Sequence, residues 1–149
     1  GLPMLRTAFI ALALAASAAA APQAQAQQTG TLTIELSGLA PQGAVMLQLF
    51  DSEAGYGAGR GVSARQVAVT SETATIAIEG LAPGQYAFRL FHDVDGDGRM
   101  NTNPFGIPTE PFAFSNNARG SFGPAPWSSA VFTVAPGANV QAITLGGIY

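Results

Sequence analysis

The amino-acid sequence predicts an all-β protein, a single β-sandwich of about seven short strands with one long ordered loop. Three observations support this prediction. Several segments alternate polar and apolar residues with a period of two, which is the pattern of a strand with one buried face. Breaks that contain Gly, Pro and Asn separate these segments, and no segment has a convincing amphipathic helix pattern.

Seven segments carry the strand pattern, and turn-forming residues bound each of them. Alternation is clearest where Leu32, Ile34 and Leu36 are separated by polar residues. The motif Gly-Leu-Ala-Pro starts at both Gly38 and Gly80, which indicates repeated use of one turn chemistry and not a domain repeat. The predicted strands are residues 31–37, 44–50, 65–70, 73–79, 86–91, 130–134 and 140–145.

The first residues predict a cleavable secretory signal peptide over residues 1–26. Met4 and Arg6 give a short basic start, residues 8–21 are apolar, and Ala24-Gln25-Ala26 is a small-x-small cleavage site. No later segment has roughly 18 uninterrupted apolar residues. We therefore expect one β-sandwich domain over residues 27–149, soluble after signal cleavage and located in the periplasm or outside the cell.

Charge and cysteine content narrow the function classes. The sequence has a formal net charge of −3, and removal of the signal peptide leaves five Arg against nine acidic residues. Binding to nucleic acid needs a basic stripe that neutralises phosphates, so we expect no nucleic-acid partner. The chain has no Cys, so its stability must come from the core and from any bound ion, since no disulfide can form.

Residues 93–103 point most directly to chemistry. Three Asp residues alternate and are followed by Gly at the sixth position of the motif, as in calcium-binding loops. Alternate carboxylates in a tight turn converge on one point, and Gly supplies the sharp bend. Position seven contributes a backbone carbonyl, and position nine contributes a side-chain oxygen or a bound water. The predicted metal ligands are Asp93, Asp95, Asp97, Arg99 through its carbonyl, and Asn101, and the predicted ion is calcium.

The twelfth position departs from the helix–loop–helix calcium site. Pro104 stands where that site has a bidentate Glu, and a proline there also disfavours a paired exiting helix. The remaining ligands must then come from backbone carbonyls, water, Asn103, or a distant carboxylate such as Glu110 or Asp51. A metal-free turn is the alternative, because Asp and Asn side chains also accept hydrogen bonds from nearby amides. Magnesium prefers rigid octahedral sites, and zinc is disfavoured by a chain with no Cys and one His.

The single histidine precedes the Asp motif. Tyr86, Phe88, Leu90 and His92 share one face of the predicted strand, and this face carries the larger apolar side chains. We expect His92 to lie at the end of the core and to hold the turn through a hydrogen bond to loop backbone. Metal ligation and catalysis are the alternatives for His92. No catalytic residue is predicted, because no arrangement of Ser, Asp and His is recognisable.

Two connections stand out. Residues 93–129 form a connection without periodic structure, in which aromatic residues alternate with prolines. We expect the rings to fix an ordered loop over one end of the sandwich; the alternative is an exposed stacking platform for sugar or another ligand. Asn116, Asn117 and Arg119 are expected to pair loop carbonyls or to contact such a ligand. Residues 56–61 are Gly-rich but lack the Lys-Ser/Thr end of a phosphate loop, which indicates a flexible crossover. The loop aromatics are Phe105, Phe112, Phe114, Phe122 and Trp127.

Several blocks of the chain resemble the secreted bacterial family called domain of unknown function 2141. The resembling blocks are 49–52, 80–87, 91–103, 106–110 and 114–120, with residues 92–120 the most specific. The element Leu81-Ala82-Pro83-Gly84-Gln85-Tyr86 also looks like part of the prealbumin-like and collagen-adhesin B-type sandwiches. The resemblance implies a secreted or periplasmic Greek-key β-sandwich without an assigned activity, and it transfers no catalytic residues.

These observations lead to one main functional hypothesis and two alternatives. The main hypothesis is a non-enzymatic secreted or periplasmic β-sandwich module in which residues 93–103 bind calcium as a cofactor and order the long loop that follows. The first alternative is a module that binds carbohydrate or a cell surface through the loop aromatics. The second is a hydrolase that uses His92 with Asp93 or Asp51, which would require an accessible His92.

Overall fold

The computed structural model describes residues 28–121 and 123–145, so the predicted signal peptide lies outside the described residues. Within them the chain forms eight strands, two short α-helices and one 3-10 turn at Ser115–Asn117. The elements in chain order are β1 (Gly30–Ser37), β2 (Ala44–Phe50), α1 (Glu53–Ala58), β3 (Ser63–Ala68), β4 (Ala74–Leu81), β5 (Gly84–Asp93), β6 (Phe112–Phe114), α2 (Trp127–Ala130), β7 (Phe132–Val134) and β8 (Gly137–Thr144).

The strands form two sheets, which confirms the predicted all-β sandwich. The smaller sheet has the order β4-β1-β8, in which β4 is antiparallel and β8 parallel to β1. The larger sheet has the order β3-β2-β5-β6, and β7 pairs with the first residues of β5. The long strand β5 is central to the larger sheet, because it pairs with β2 along one edge and with β6 and β7 along the other.

The core lies between the two sheets and is built from the alternating residues that the sequence identifies. Leu32, Ile34 and Leu36 of β1 are at most 2% exposed. Opposite them, Phe88 and Leu90 of β5 belong to the same buried cluster. Complete burial of side chains of this size contributes about 1.5–3 kcal/mol each. The predicted core face of β5 is therefore confirmed.

A second apolar cluster covers part of the outer face of the larger sheet. Phe50 and Phe114 project outward there and pack with Tyr56 of α1 and Trp127 of α2. The ring of Tyr56 meets Phe50 edge-on at 5.3 Å and Trp127 at 5.8 Å between centroids. The Tyr56 hydroxyl donates to the carbonyl of Ala125 at 2.5 Å. Burial raises the pKa of Tyr56, so it stays a neutral hydrogen-bond donor.

Three local predictions differ from the structure. The Gly-rich residues 56–61, predicted as a flexible crossover, include the end of α1, because Ser52 caps the helix by accepting from the Gly55 amide at 3.0 Å and Tyr56 is buried. The predicted strand at 130–134 begins only at Phe132, because Ala130 ends α2. Strand β6 was not predicted, since three residues are too short to show a period.

Candidate metal centre

Strand β5 delivers the first carboxylate of the site. Asp93 is the last residue of β5 and pairs with Ala44 of β2, so its position is fixed by the ladder. The chain then turns through Gly96 and Gly98, whose φ values are +74° and +79°. These left-handed conformations strain any residue with a Cβ, so the predicted need for Gly at the sixth position is confirmed. The turn leaves Asp95 and Asp97 exposed beside the buried Asp93.

A short hairpin then brings a distant carboxylate back to the turn. Thr102 and Pro108 form an isolated antiparallel bridge, and the Asn103 amide donates to the Ile107 carbonyl at 2.8 Å. The side-chain oxygen of Asn103 accepts from the amides of Phe105 and Ile107 at 2.8 and 3.0 Å. Asn103 therefore holds the hairpin and is committed to that turn, whereas Glu110 returns to the Asp motif.

Four carboxylates meet at this point. One oxygen from each lies within 4.8 Å of the corresponding oxygen of every other member. Two oxygens bound to the same calcium ion are at most about 5.2 Å apart, because each lies 2.3–2.6 Å from the ion. The group has the dimensions of a single-cation site. Its members are Asp93, Asp95, Asp97 and Glu110.

Glu110 supplies a further carboxylate to the group, whereas the twelfth position of the motif is Pro104. The sequence left Glu110, Asp51 and Asn103 as alternative sources of further ligands; the structure brings only Glu110 into the carboxylate group. Asp51 instead lies at the other end of the sandwich, just after β2, where burial and then the charge of Asp51 raise the pKa of Tyr86. Nothing in the local sequence distinguishes Glu110 from Asp51, because the choice depends on the hairpin register.

Two of the four carboxylates are buried, which is unusual for side chains that carry a charge. Asp93 is 2% and Glu110 5% exposed, and neither forms an ion pair with a described residue. The buried Oδ1 atoms of Asp93 and Asn101 have no hydrogen-bond partner. A buried carboxylate without a compensating charge or hydrogen bond is costly, typically by several kcal/mol. Two buried acids and two orphaned oxygens in one small site are the arrangement that a bound cation would relieve.

Backbone amides orient the remaining carboxylate oxygens. Asp93 Oδ2 accepts from the Gly98 amide at 2.7 Å, and Asp97 Oδ1 accepts from the Arg99 amide at 2.9 Å. Asp95 accepts from the Asp97 amide and from the Asn101 side chain. The Asp97 amide is the main reason that the pKa of Asp95 is lowered, so Asp95 stays ionised. These amide contacts hold the carboxylates in a loop that is negatively charged at neutral pH.

Glu110 also closes the loop mechanically. Its Oε2 accepts from the Val94 amide at 2.8 Å, and its Oε1 accepts from the Asn101 amide at 3.0 Å. A single side chain thus joins the start and the end of the Asp motif. Each carboxylate oxygen has two lone pairs, so these bonds leave Glu110 able to coordinate a cation as well. A change at Glu110 would therefore affect both ion binding and loop closure.

His92 has the structural role that the sequence predicted. It is 1% exposed, and its Nε2 is hydrogen-bonded at 2.6 Å to the carbonyl of Gln42. Its backbone amide donates to the carbonyl of Pro111 at 2.8 Å. His92 is outside the carboxylate group, so it is not one of the converging metal-ligand side chains. The hydrolase hypothesis required an accessible His92, and this burial does not support it.

The asparagines and aromatic residues of the long connection differ in their roles: some pair or pack within the protein, and others are exposed. The Asn116 side-chain amide donates to the carbonyls of Ser129 and Val131, so the predicted pairing of loop carbonyls is confirmed for this residue. Asn117 similarly donates to Ala142 of β8. Among the loop aromatics, Phe114 is buried and Trp127 is half-buried, whereas Phe105 is 86% exposed; Phe122 lies outside the described residues.

Comparison with known proteins gives a family but no activity. The family model described as "Uncharacterized protein conserved in bacteria (DUF2141)" matches residues 34–142. The chain belongs to this family. No curated protein and no solved structure matches the chain, so the likeness to prealbumin-like sandwiches stays a prediction. None of the helices in residues 28–121 and 123–145 is long and apolar enough to span a membrane.

Proposed function

We propose that this member of the DUF2141 family is a non-enzymatic, secreted or periplasmic β-sandwich module that binds one structural calcium ion. The observation that carries the proposal is the convergence of four carboxylates, one of which, Asp93, has a buried Oδ1 without a hydrogen-bond partner. The ion would be held by Asp93, Asp95, Asp97 and Glu110, with the Asn101 side chain and the Arg99 carbonyl completing the shell.

The donor chemistry favours calcium over other ions. All of the proposed donors are hard oxygens, and they come from a loop that can adapt to the six to eight ligands of calcium. Zinc binding favours Cys and His, but the chain has no Cys and its one His is bonded to a backbone carbonyl. Magnesium demands shorter distances and near-ideal octahedral geometry and usually retains several waters, which suits a site with four carboxylates less well.

The proposed role of calcium is to order the loop and not to supply reaction chemistry. Binding would relieve the repulsion among four carboxylates and would crosslink the turn after β5 to the strand-like return at Glu110. No helices flank this loop, so the helix opening by which calcium sensors act has no counterpart here. We expect an affinity of the extracellular class, with Kd on the order of 10⁻⁴–10⁻³ M.

The proposed location rests on the signal peptide predicted for residues 1–26. The proposed affinity suits this location, because extracellular modules work at much higher calcium concentrations than cytosolic sensors. The alternative function, a glycan- or surface-binding module that uses loop aromatics, has less support. Phe114 and Trp127 pack into the second apolar cluster, and Phe105 is the strongly exposed ring among the described loop aromatics.

Thermal unfolding with calcium titration tests the proposal. After removal of metal with EGTA, calcium at 10 mM should stabilise the protein by RT ln(1 + [Ca]/Kd), about 1.4–2.7 kcal/mol for the expected affinity. For a domain of this size that corresponds to a rise of about 5–10 °C in Tm. Magnesium at the same concentration should give a clearly smaller rise.

Two variants and one control assign the effect to the site. Asp93→Asn and Glu110→Gln should each abolish most of the calcium-dependent rise in Tm. Glu79→Gln removes an exposed carboxylate from β4, in the other sheet, and should leave the rise unchanged. Absence of any Tm change up to 10 mM calcium, or an undiminished rise in both site variants, would refute the proposal.

A further inference from the structure

The outer face of the larger sheet carries a row of mainly apolar residues beside a row that contains Arg89. The rows follow from the strand register, in which Met46 pairs with Phe91 and Phe91 pairs with Phe112. This apolar row lies next to the row that contains Gln48 and Arg89, which also pair with each other. Successive rows on one face of a sheet are about 7 Å apart, because they are two residues apart along a strand.

This face remains open as a groove of about 1570 Å³. The second apolar cluster covers the outer face near Phe50 and Ala87, so the open part begins at the Arg89 row. The hairpin after the Asp motif forms one wall through residues 105–108, and Phe105 at its tip is 86% exposed. We call this feature the outer-face groove; its floor and rim include Met46, Gln66, Phe91, Phe112, Arg65 and Arg89.

The charge of the groove is opposite to that of the protein. The full chain has six basic and nine acidic residues, with a net charge of −3. Three of the six Arg residues, Arg65, Arg89 and Arg119, line the groove, and no Asp or Glu is among its described lining residues. A concave surface lined by charge of one sign concentrates ligands of the opposite sign. The groove is therefore complementary to an anion.

Two of these guanidinium groups are already oriented. Arg89 donates from Nε and Nη2 to Gln48 Oε1 at 3.2 and 2.8 Å, and its guanidinium lies over the Phe50 ring at 5.2 Å. Arg65 pairs with the core-facing Leu47, so its side chain leaves β3 on the inner side of the sheet, and its Nη1 donates to Ser63 Oγ and to the Ala64 carbonyl at the edge of the sheet. Neither forms an ion pair with a described residue, so further N–H groups are available to an anion without loss of an existing partner charge. Such pre-orientation reduces the entropy cost of binding.

The side chains beside Arg89 define the rest of the ligand. In the adjacent row Met46, Phe91 and Phe112 are apolar and Gln66 of β3 is polar, and Ile107 and Pro108 continue the apolar part onto the hairpin wall. Flexible Met side chains suit an irregular aliphatic ligand. The apolar part of this lining offers contact area for an alkyl chain.

We propose that the outer-face groove binds a single-chain anionic amphiphile, with its oxygen-rich head group at Arg89 and its alkyl chain across the Met46–Phe91–Phe112 row. The ligand class is an alkyl chain with one carboxylate, phosphate or sulfonate head. This binding activity is separate from the calcium proposal, because neither Arg89 nor the apolar row belongs to the carboxylate group.

Calorimetric titration of the purified protein with decanesulfonate tests this proposal. We expect saturable binding of one molecule, at least tenfold tighter than decyltrimethylammonium, which has the same chain and the opposite charge. Methanesulfonate, which has the head alone, should bind at least a hundredfold more weakly than decanesulfonate. Decanoate and decyl phosphate, titrated in calcium-free buffer, then show which head group the arginines prefer.

Variants locate the binding. Arg89→Gln should weaken decanesulfonate binding about tenfold or more, and Arg65→Gln, at the edge of the sheet, should have a clearly smaller effect. Met46→Glu, which places a negative charge on the floor, should weaken it at least tenfold. Arg60→Gln is the matched control, because Arg60 is exposed at the end of α1 and outside the groove lining. Thermal unfolding of each variant establishes that it is folded before it is titrated.

Three results would overturn the proposal. The first is absence of saturable binding of any of the three decyl anions at 1 mM. The second is equal affinity for decanesulfonate and decyltrimethylammonium, which would indicate nonspecific apolar contact. The third is wild-type affinity in both Arg89→Gln and Met46→Glu, which would place the bound anion elsewhere.

Discussion

The connection from β5 to β7 contains two segments of similar length, one built around apolar packing and the other around a group of carboxylates. Residues 112–131 bury Phe114 and half-bury Trp127, and their Asn116 side chain is paired with backbone carbonyls. Residues 94–111 bury Glu110 among other acids and leave Phe105 exposed at their tip. Among its described residues, the later segment is stabilised by packing and by paired amides. The earlier segment gathers negative charge that only an added cation would balance.

The largest expected effect concerns the later segment. Phe114→Ala should lower the free energy of unfolding by about 3–4 kcal/mol, because it empties a packed aromatic site. Urea denaturation in EGTA and in 10 mM calcium should give the same loss. Phe105→Ala is the control, and its effect should stay within about 0.5 kcal/mol because that ring is exposed. A Phe114→Ala loss that differed by more than about 1 kcal/mol between the two buffers would mean that the segments are coupled.

Hydrogen exchange would sharpen the contrast between the two segments directly. The amides of Val94, Gly98 and Asn101 donate to carboxylates of the proposed site, so calcium should slow their exchange. Stabilisation of about 1.4–2.7 kcal/mol corresponds to protection of about 10–100-fold. The Val131 amide donates to the Trp127 carbonyl, and its exchange should not change. Equal protection of both sets would contradict local ordering by the ion.

The third prediction separates side-chain pairing from backbone conformation in the later segment. Asn116 has a φ of +63°, in the left-handed region that Asn tolerates better than most residues. Asn116→Gly keeps this conformation accessible and removes the amide, and should cost about 1 kcal/mol. Asn116→Ala adds backbone strain and should cost about 2 kcal/mol. Chemical denaturation measures both variants, and equal costs would show that the hydrogen bonds alone matter.

The smallest expected effect is an acid dependence of the earlier segment. The pKa of Asp95 is lowered below 3.8 by the Asp97 amide, so its ionised form stabilises the folded state. That contribution is present above pH 3.8 and is lost as pH falls through the lowered pKa of the folded state. In calcium-free buffer, the free energy of unfolding of Asp95→Asn should therefore fall slightly less than that of the wild-type protein as the pH is lowered from 5. Equilibrium unfolding at several pH values measures the difference, and identical pH profiles would contradict it.

Much of the candidate site was predictable, because its local geometry depends on residues that are close in sequence. The alternation of Asp93, Asp95 and Asp97, with Gly98 at a positive φ, follows from turn chemistry alone. The participation of Glu110 was only one of several alternatives. It depends on the Thr102–Pro108 bridge, and a shift in that pairing would point a different residue at the turn. The groove was not predicted at all, since its rows join residues from four strands.

By itself, the sequence determined the all-β class, the buried face of β5, the role of His92 and the three Asp side chains of the candidate metal centre. These features depend on period-two burial and on steric limits within a few residues, which a linear pattern records directly. The tertiary structure alone decided that Glu110 completes the carboxylate group, that α1 and α2 cover one part of the outer face, and that Arg89 adjoins an apolar row. Those features depend on pairing between distant segments, and the free energy of such pairing is set by packing and register that no local pattern contains.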